Sequence, residues 1–168
     1  MITVSTYEDL DDFKDSLVCE RINVLGQLLE SSMSAAIIKS VALCHLKQKN
    51  YDKATEYFKR AIEQDGNDPD NYYYAAVCKL RGNPAFTIKR SDIDEIEQYI
   101  TNAITIKPKG VYYYLRAYIR YDYFFLHNII VSPGYKWCLG EAYKTGFRSS
   151  KALDPFWNML GVMRPYEL

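Results

Sequence analysis

Histidine is scarce in this chain of 168 residues; His45 and His127 are the two. Neither has an acid or cysteine at helical spacing that argues for a metal pair. Cys44 adjoins His45, but neighbouring residues on a helix point apart. A nucleophilic Cys–His pair would have to be assembled in space by the fold. Cys19, Cys44, Cys78 and Cys138 are far apart, with no zinc-knuckle or redox spacing. Each sits in an apolar helical context, so reduced, buried thiols in a reducing compartment are expected. The eight glycines are isolated at helix ends, which excludes a glycine-rich phosphate loop. No apolar run approaches the length of a membrane span. The opening MITVSTYEDLDDF has no basic leader before an apolar run, so no secretory signal is expected, and a cytoplasmic location is. Net charge is zero. The scattered cations Arg81, Lys89, Arg90, Lys107 and Lys109 lack the density of a nucleic-acid surface. Asp92, Asp94, Glu95 and Glu97 suit a helix N-terminus without calcium. These absences together predict no enzyme, no metal and no cofactor.

What is abundant is tyrosine, with 16 residues against 7 Phe and 2 Trp. Charge is also unevenly placed. Residues 1–34 carry seven acids and two bases, and residues 107–168 carry four acids and nine bases. Opposite ends of this kind can orient a partner or pair copies head to tail.

The strongest signal is a repeat. Ile38 and Ala42 recur as Tyr72 and Ala76, and after a longer interval as Tyr114 and Tyr118. Ala54, Phe58 and Ala61 recur after that longer interval as Ile96, Ile100 and Ala103. A period of about 34 residues, the shorter of the two, describes paired helices that bury their apolar face only by stacking on a neighbour. The longer interval contains an eight-residue insertion, residues 83–90, ending in Lys89 and Arg90. That insertion is either a contact loop or a tolerated surface excursion.

Along the chain, Ser5 and Glu8 have the spacing of a capping box. Leu10, Phe13, Leu17, Ile22, Leu25, Leu28 and Leu29 then predict one long helix or two short ones, capping the first hairpin. Ser32 or Ser34 is expected to start the next helix. Asn50 breaks it, and Gly66 stops its partner. Pro69 opens a further helix, and Gly82, Asn83 and Pro84 break the chain. Ser91 or Asp92 is expected to cap the helix after that break. An aromatic helix begins near Val111. Beyond Asn128 the periodicity weakens. A helix near residues 134–146 and a terminal element anchored by Phe156, Trp157, Leu160 and Met163 are expected.

The alanine pairs, the helix start at residues 51–54, Phe58, Ala61 and the turns at Asp65-Gly66 and Lys107-Pro108 make residues 35 to about 123 resemble the tetratricopeptide repeat family. Ala42 stands where that family usually has glycine, His45 where tyrosine is frequent, and Ile96 where a small residue is usual. The resemblance implies an all-α, right-handed superhelix of antiparallel helical hairpins. It implies one domain over 1–168: an N-terminal cap over 1–34, repeats over 35–128 and a helical cap over 129–168. It also implies a concave face that binds a peptide or partner protein. Matched onto this chain, that face takes Lys39, Leu43, Leu46 and Lys47 from the first unit. The second supplies Tyr73, Val77, Leu80 and Arg81, and the third Tyr112, Leu115, Arg116, Ile119 and Tyr123. Some family members clamp a peptide carboxylate. Lys39 and Arg116 suit such a clamp, but Leu43, Tyr74 and Tyr112 replace its other members, so it is incomplete.

The runs at residues 72–74 and 112–114 bear on the same face. Three successive side chains spread around most of a helix, so at least one per run should be exposed or on the concave face. Tyrosine suits an interface, and it equally suits packing between hairpins. The sequence thus predicts a non-catalytic interaction domain with a tyrosine-rich concave surface, contacting neither nucleic acid nor membrane. Self-assembly through the charged ends is the alternative.

Overall fold

The computed structural model describes residues 3–10, 15–31, 34–148 and 150–168; at residues 15, 16, 19, 28–31, 150 and 151 it describes the backbone alone. Phe13, Ser32 and the side chains of Cys19, Leu28 and Leu29 therefore lie outside the described residues. Those that are described contain eight α-helices and no strand. The chain divides into two compact units, Met1–Lys79 and Leu80–Leu168.

In the first unit, α1 (Asp15–Ser31) packs on α2 (Ala35–Lys47), which pairs with α3 (Tyr51–Gln64). Ser34 starts α2, its hydroxyl accepting the Ile37 N–H at 3.4 Å. The short turn at residues 48–50 returns α3 antiparallel to α2. Ala54, Phe58 and Ala61 form the fully buried stripe of α3, as their spacing predicts. Ala42 and Ala54, both without exposure, keep the pair close. Burying a side chain such as Phe58 contributes about 1.5–3 kcal/mol. Pro69 opens α4 (Pro69–Leu80), whose last residue crosses the unit boundary.

Two expectations for this region fail. On α1 it is Val18 and Leu25 that are buried, while Leu17 is 46% exposed. Leu25 is thus buried as the stripe predicts and Ile22 is half-buried, but Val18 takes the inward place expected for Leu17. Nor do Ser5 and Glu8 form a capping box. Residues Glu8–Leu10 make a single 3₁₀ turn, and the Asp9 carboxylate accepts the N–H groups of Ser5 and Thr6 at 3.0 and 2.9 Å.

In the second unit, α5 (Arg90–Ile106) packs on α6 (Gly110–Ile119), which continues as a wider π-helical turn over Arg120–Phe125. Lys89, not Ser91 or Asp92, precedes α5, with no side-chain cap. After a loop, α7 (Tyr135–Lys144) packs on α6. The third hairpin is thus complete, although the sequence predicted clearly only its first helix. Cys138 and Ala142, both fully buried, stand one further long interval beyond Ile96 and Ile100 and fill the same inner positions. Gly110 permits the closest approach of α6 to the end of α7. A Cβ there would overlap the Thr145 hydroxyl and lie 2.6 Å from the Phe147 Cβ.

α8 (Ser150–Leu160) closes the unit. Its Phe156 and Trp157 rings meet Tyr114 edge-on at 5.0 and 6.0 Å, and Trp157 also meets Tyr118 at 5.2 Å. Leu160 is buried as expected, whereas Met163 is 93% exposed and anchors nothing in this unit.

Candidate functional site

Three residues of the first unit's leading segment are buried: Val4, Tyr7 and Leu10. The backbone of this segment is held by two side chains one repeat apart. The Val4 N–H donates to the Ser40 hydroxyl on α2 at 2.8 Å. The Tyr7 N–H donates to the Tyr74 hydroxyl on α4 at 3.0 Å. Ser40 and Tyr74 are separated by one repeat period and so occupy equivalent positions of successive first helices.

Further contacts fix the segment. Lys47 Nζ lies 4.9 Å from the centre of the Tyr7 ring, a cation–π distance. The Tyr74 ring stacks on Phe58 at 5.6 Å, which holds its hydroxyl in place. Burial pushes the Tyr74 hydroxyl well above the usual phenol range, so it stays protonated. The backbone N–H of Thr6, followed by that of Ser5, holds the Asp9 carboxyl below its ordinary value despite some desolvation. A cleft of about 200 Å³ remains beside the segment, lined by Thr3, Val4, Ser5, Ala35, Ala36, Lys39, Asp65 and Asp68.

The residues expected to line a binding face have varied surroundings. In the first unit Leu43, Leu46, Tyr73 and Val77 are buried, and Lys47 is half-buried under the Tyr7 ring. Lys39 is paired at 2.9 Å with Asp68 and lies 3.6 Å from Asp70. In the second unit Leu80, Tyr112, Leu115, Ile119 and Tyr123 are buried, while Arg81 is exposed. Arg116 Nε meets Glu97 Oε2 at 3.1 Å. The same carboxylate takes two bonds from Arg120, at 3.1 and 2.9 Å. Arg120 Nη1 also donates to the Pro133 carbonyl. Both cations expected to suit a clamp are thus paired with the chain's own carboxylates. Sequence spacing located the cations and could not show their partners.

Of each tyrosine run one member is partly open. Tyr72 and Tyr113 are half-buried, while Tyr73, Tyr74, Tyr112 and Tyr114 are buried. The insertion is a docked element of the second unit. The Ala85 N–H donates to the Tyr118 hydroxyl at 3.1 Å, and the Phe86 N–H donates to Asp122 at 2.8 Å. Phe86 stacks on His127 at 4.1 Å. Tyr118 replaces the alanine of the earlier helices, and its hydroxyl serves the insertion.

Residues 35–68 match the family model of the tetratricopeptide repeat. These residues form a tetratricopeptide repeat. The matched range covers α2, α3 and the turn into α4, so the repeat contributes Ser40 directly, and Tyr74 lies one period later. No curated protein matches the chain.

Two other features limit the chemistry near the repeat. His45 is buried and stacked on Tyr57 at 5.5 Å, and its Nδ1 makes no hydrogen bond among the described residues. Burial, with Lys53 nearby, lowers its affinity for a proton against a weaker opposing effect of Glu56. Burial also raises the Cys44 thiol to about 11 and pushes Cys78 and Cys138 up, so none is a ready nucleophile. Among the described residues no group of three or more His, Cys, Asp or Glu is placed to hold a metal ion. No described helix is long and apolar enough to cross a membrane.

The second unit carries a separate apolar surface. A cleft of about 580 Å³ is bordered by Arg120, Phe125, Ile129, Ile130, Tyr135 and Lys136, among others. Ile130 is 99% exposed, and Phe125 and Trp137 are about half exposed.

Proposed function

We propose that this chain is a non-catalytic protein-interaction domain whose tyrosine-bearing face, along α2 and α4, takes a short segment of a partner protein. The observation that carries the reading is the pair of bonds from Ser40 and Tyr74 to the backbone of residues 4 and 7. A face that holds main-chain N–H groups from equivalent repeat positions suits the main chain of a short bound segment. Backbone bonding gives it affinity, and the apolar side chains give it selectivity. The tetratricopeptide repeat at residues 35–68 supports the same class of function. The buried thiols of Cys44, Cys78 and Cys138 favour a reducing, cytoplasmic setting. Of the residues proposed from sequence, Lys47 meets the Tyr7 ring in the first unit, whereas Tyr73 is buried, and Arg81 is exposed in the second.

NMR titration with short peptides tests the reading. Shifts centred on Ser40, Leu43, Lys47 and Tyr74 are the expected result. Shifts confined to the second unit would contradict it.

A second reading has its own observation. The exposed Phe125, Ile130 and Trp137 lie in the basic part of the chain, opposite in charge to residues 1–34. They suit self-association. Sedimentation at rising salt tests this, since a charge-guided oligomer dissociates as charges are screened.

A further inference from the structure

The face described above is already filled by the chain itself. We infer that residues 3–10 are an intramolecular occupant of the α2–α4 face that a partner segment of the same chemistry must displace. This rests on the reading of that face as a binding surface and adds its regulation and the class of partner.

Three observations support the inference. First, the segment is held by side chains of the face through its own main chain, at Val4 and Tyr7. Any peptide offers the same main-chain donors, so the bonds do not tie the face to this occupant. Second, the buried side chains fall at three-residue steps, Val4, Tyr7 and Leu10, with the charged Glu8 and Asp9 exposed between the last two. This is a recognition pattern of aliphatic, tyrosine and leucine anchors with an acidic turn. Third, the segment supplies its own fold. Asp9 closes the turn on Ser5 and Thr6, and Leu10 N–H donates to the Tyr7 carbonyl at 3.0 Å. A short partner segment with the same aspartate would make the same turn.

The partner is therefore a protein segment with an aliphatic residue, a tyrosine three positions on, and an acidic turn ending in leucine. Lys47 would meet its tyrosine ring as it meets Tyr7. A tethered occupant competes at an effective concentration of about millimolar, so the closed form masks a partner of modest affinity. Release requires a partner that binds more tightly or a change that loosens residues 3–10.

The test uses a labelled peptide with the sequence of residues 3–10 and a control with alanine at the positions of Val4, Tyr7 and Leu10. Binding is measured to the whole chain, to a chain lacking residues 1–10, and to the full-length variant Tyr7→Ala. The inference expects at least tenfold tighter binding to both altered chains than to the whole chain, and none of the control peptide. NMR shifts should centre on Ser40 and Tyr74. Equal binding to all three chains would leave the face as a binding surface and overturn the masking. No binding to any folded form would overturn the binding reading itself. Unfolding of both altered chains, seen as collapsed amide dispersion, would make residues 3–10 part of the core and would also overturn the inference.

Discussion

Ser40 and Tyr74 stand one repeat period apart and hold the same short segment, one through the Val4 N–H and the other through the Tyr7 N–H. The Ser40 hydroxyl proton has two carbonyl acceptors in reach, Ala36 at 2.8 Å and Val4 at 3.0 Å. Removal of the hydroxyl leaves the buried Val4 N–H without its acceptor. Ser40→Ala should cost about 1–3 kcal/mol. The loss should appear as faster hydrogen exchange at Val4, while α3 amides near Phe58 keep their protection.

Glu97 holds Arg116 and Arg120 together, and all three side chains are at most 17% exposed. Glu97→Ala leaves two guanidinium groups unpaired in a dry setting. It should destabilise the second unit by about 3–5 kcal/mol. Urea unfolding followed by tryptophan fluorescence would report it, because Trp137 and Trp157 both lie in that unit. A loss no larger than that of an exposed ion pair, below about 1 kcal/mol, would mean that the cluster is solvated.

Gly110→Ala places a methyl group against Thr145 and Phe147 at the α6–α7 approach. The overlap should cost about 1–3 kcal/mol. Thermal unfolding of the variant would show a lowered Tm with unchanged helix content.

His45 is held neutral by burial, so its folded pKa lies below the ordinary value. The unfolded chain therefore binds more protons than the folded one as pH falls through about 6.5. This contribution to stability is complete above the unfolded pKa and declines as pH falls below it. Urea midpoints should drop between pH 7 and 5 in the parent chain, and His45→Phe should flatten that dependence.

Much of the architecture is legible from two spacings. The shorter interval locates the helices of the matched repeat through Ala42, Ala54, Phe58 and Ala61. The longer interval carries further than the tyrosine runs suggest. From Ile96 and Ile100 it reaches Cys138 and Ala142 and gives the third hairpin its second helix. Burial of Cys138 and a helix near residues 134–146 are legible from sequence; that this helix completes the third hairpin is not, because a cysteine and an alanine are weak apolar signals beside exposed Trp137.

The candidate site was less legible, for a physical reason. Helical spacing reports which side of a helix a residue occupies, not what covers that side. Leu43, Tyr73 and Val77, expected to line a binding face, are buried. Lys39 and Arg116 are expected there too, and their charges are answered by Asp68 and Glu97, which lie elsewhere in the sequence. Residues 3–9 lie before the predicted helical stripe, and their contact with α2 and α4 is visible only through the hydroxyls of Ser40 and Tyr74.

Native-state hydrogen exchange at the Val4 and Tyr7 amides tests the central claim most directly, because both are bound to the α2–α4 face. Both should be protected, and both should open at a lower free energy than the α2 and α3 amides, as an occupant that leaves without unfolding its unit must. Exchange at the rate of a free peptide, or only together with global unfolding of the first unit, would contradict the account.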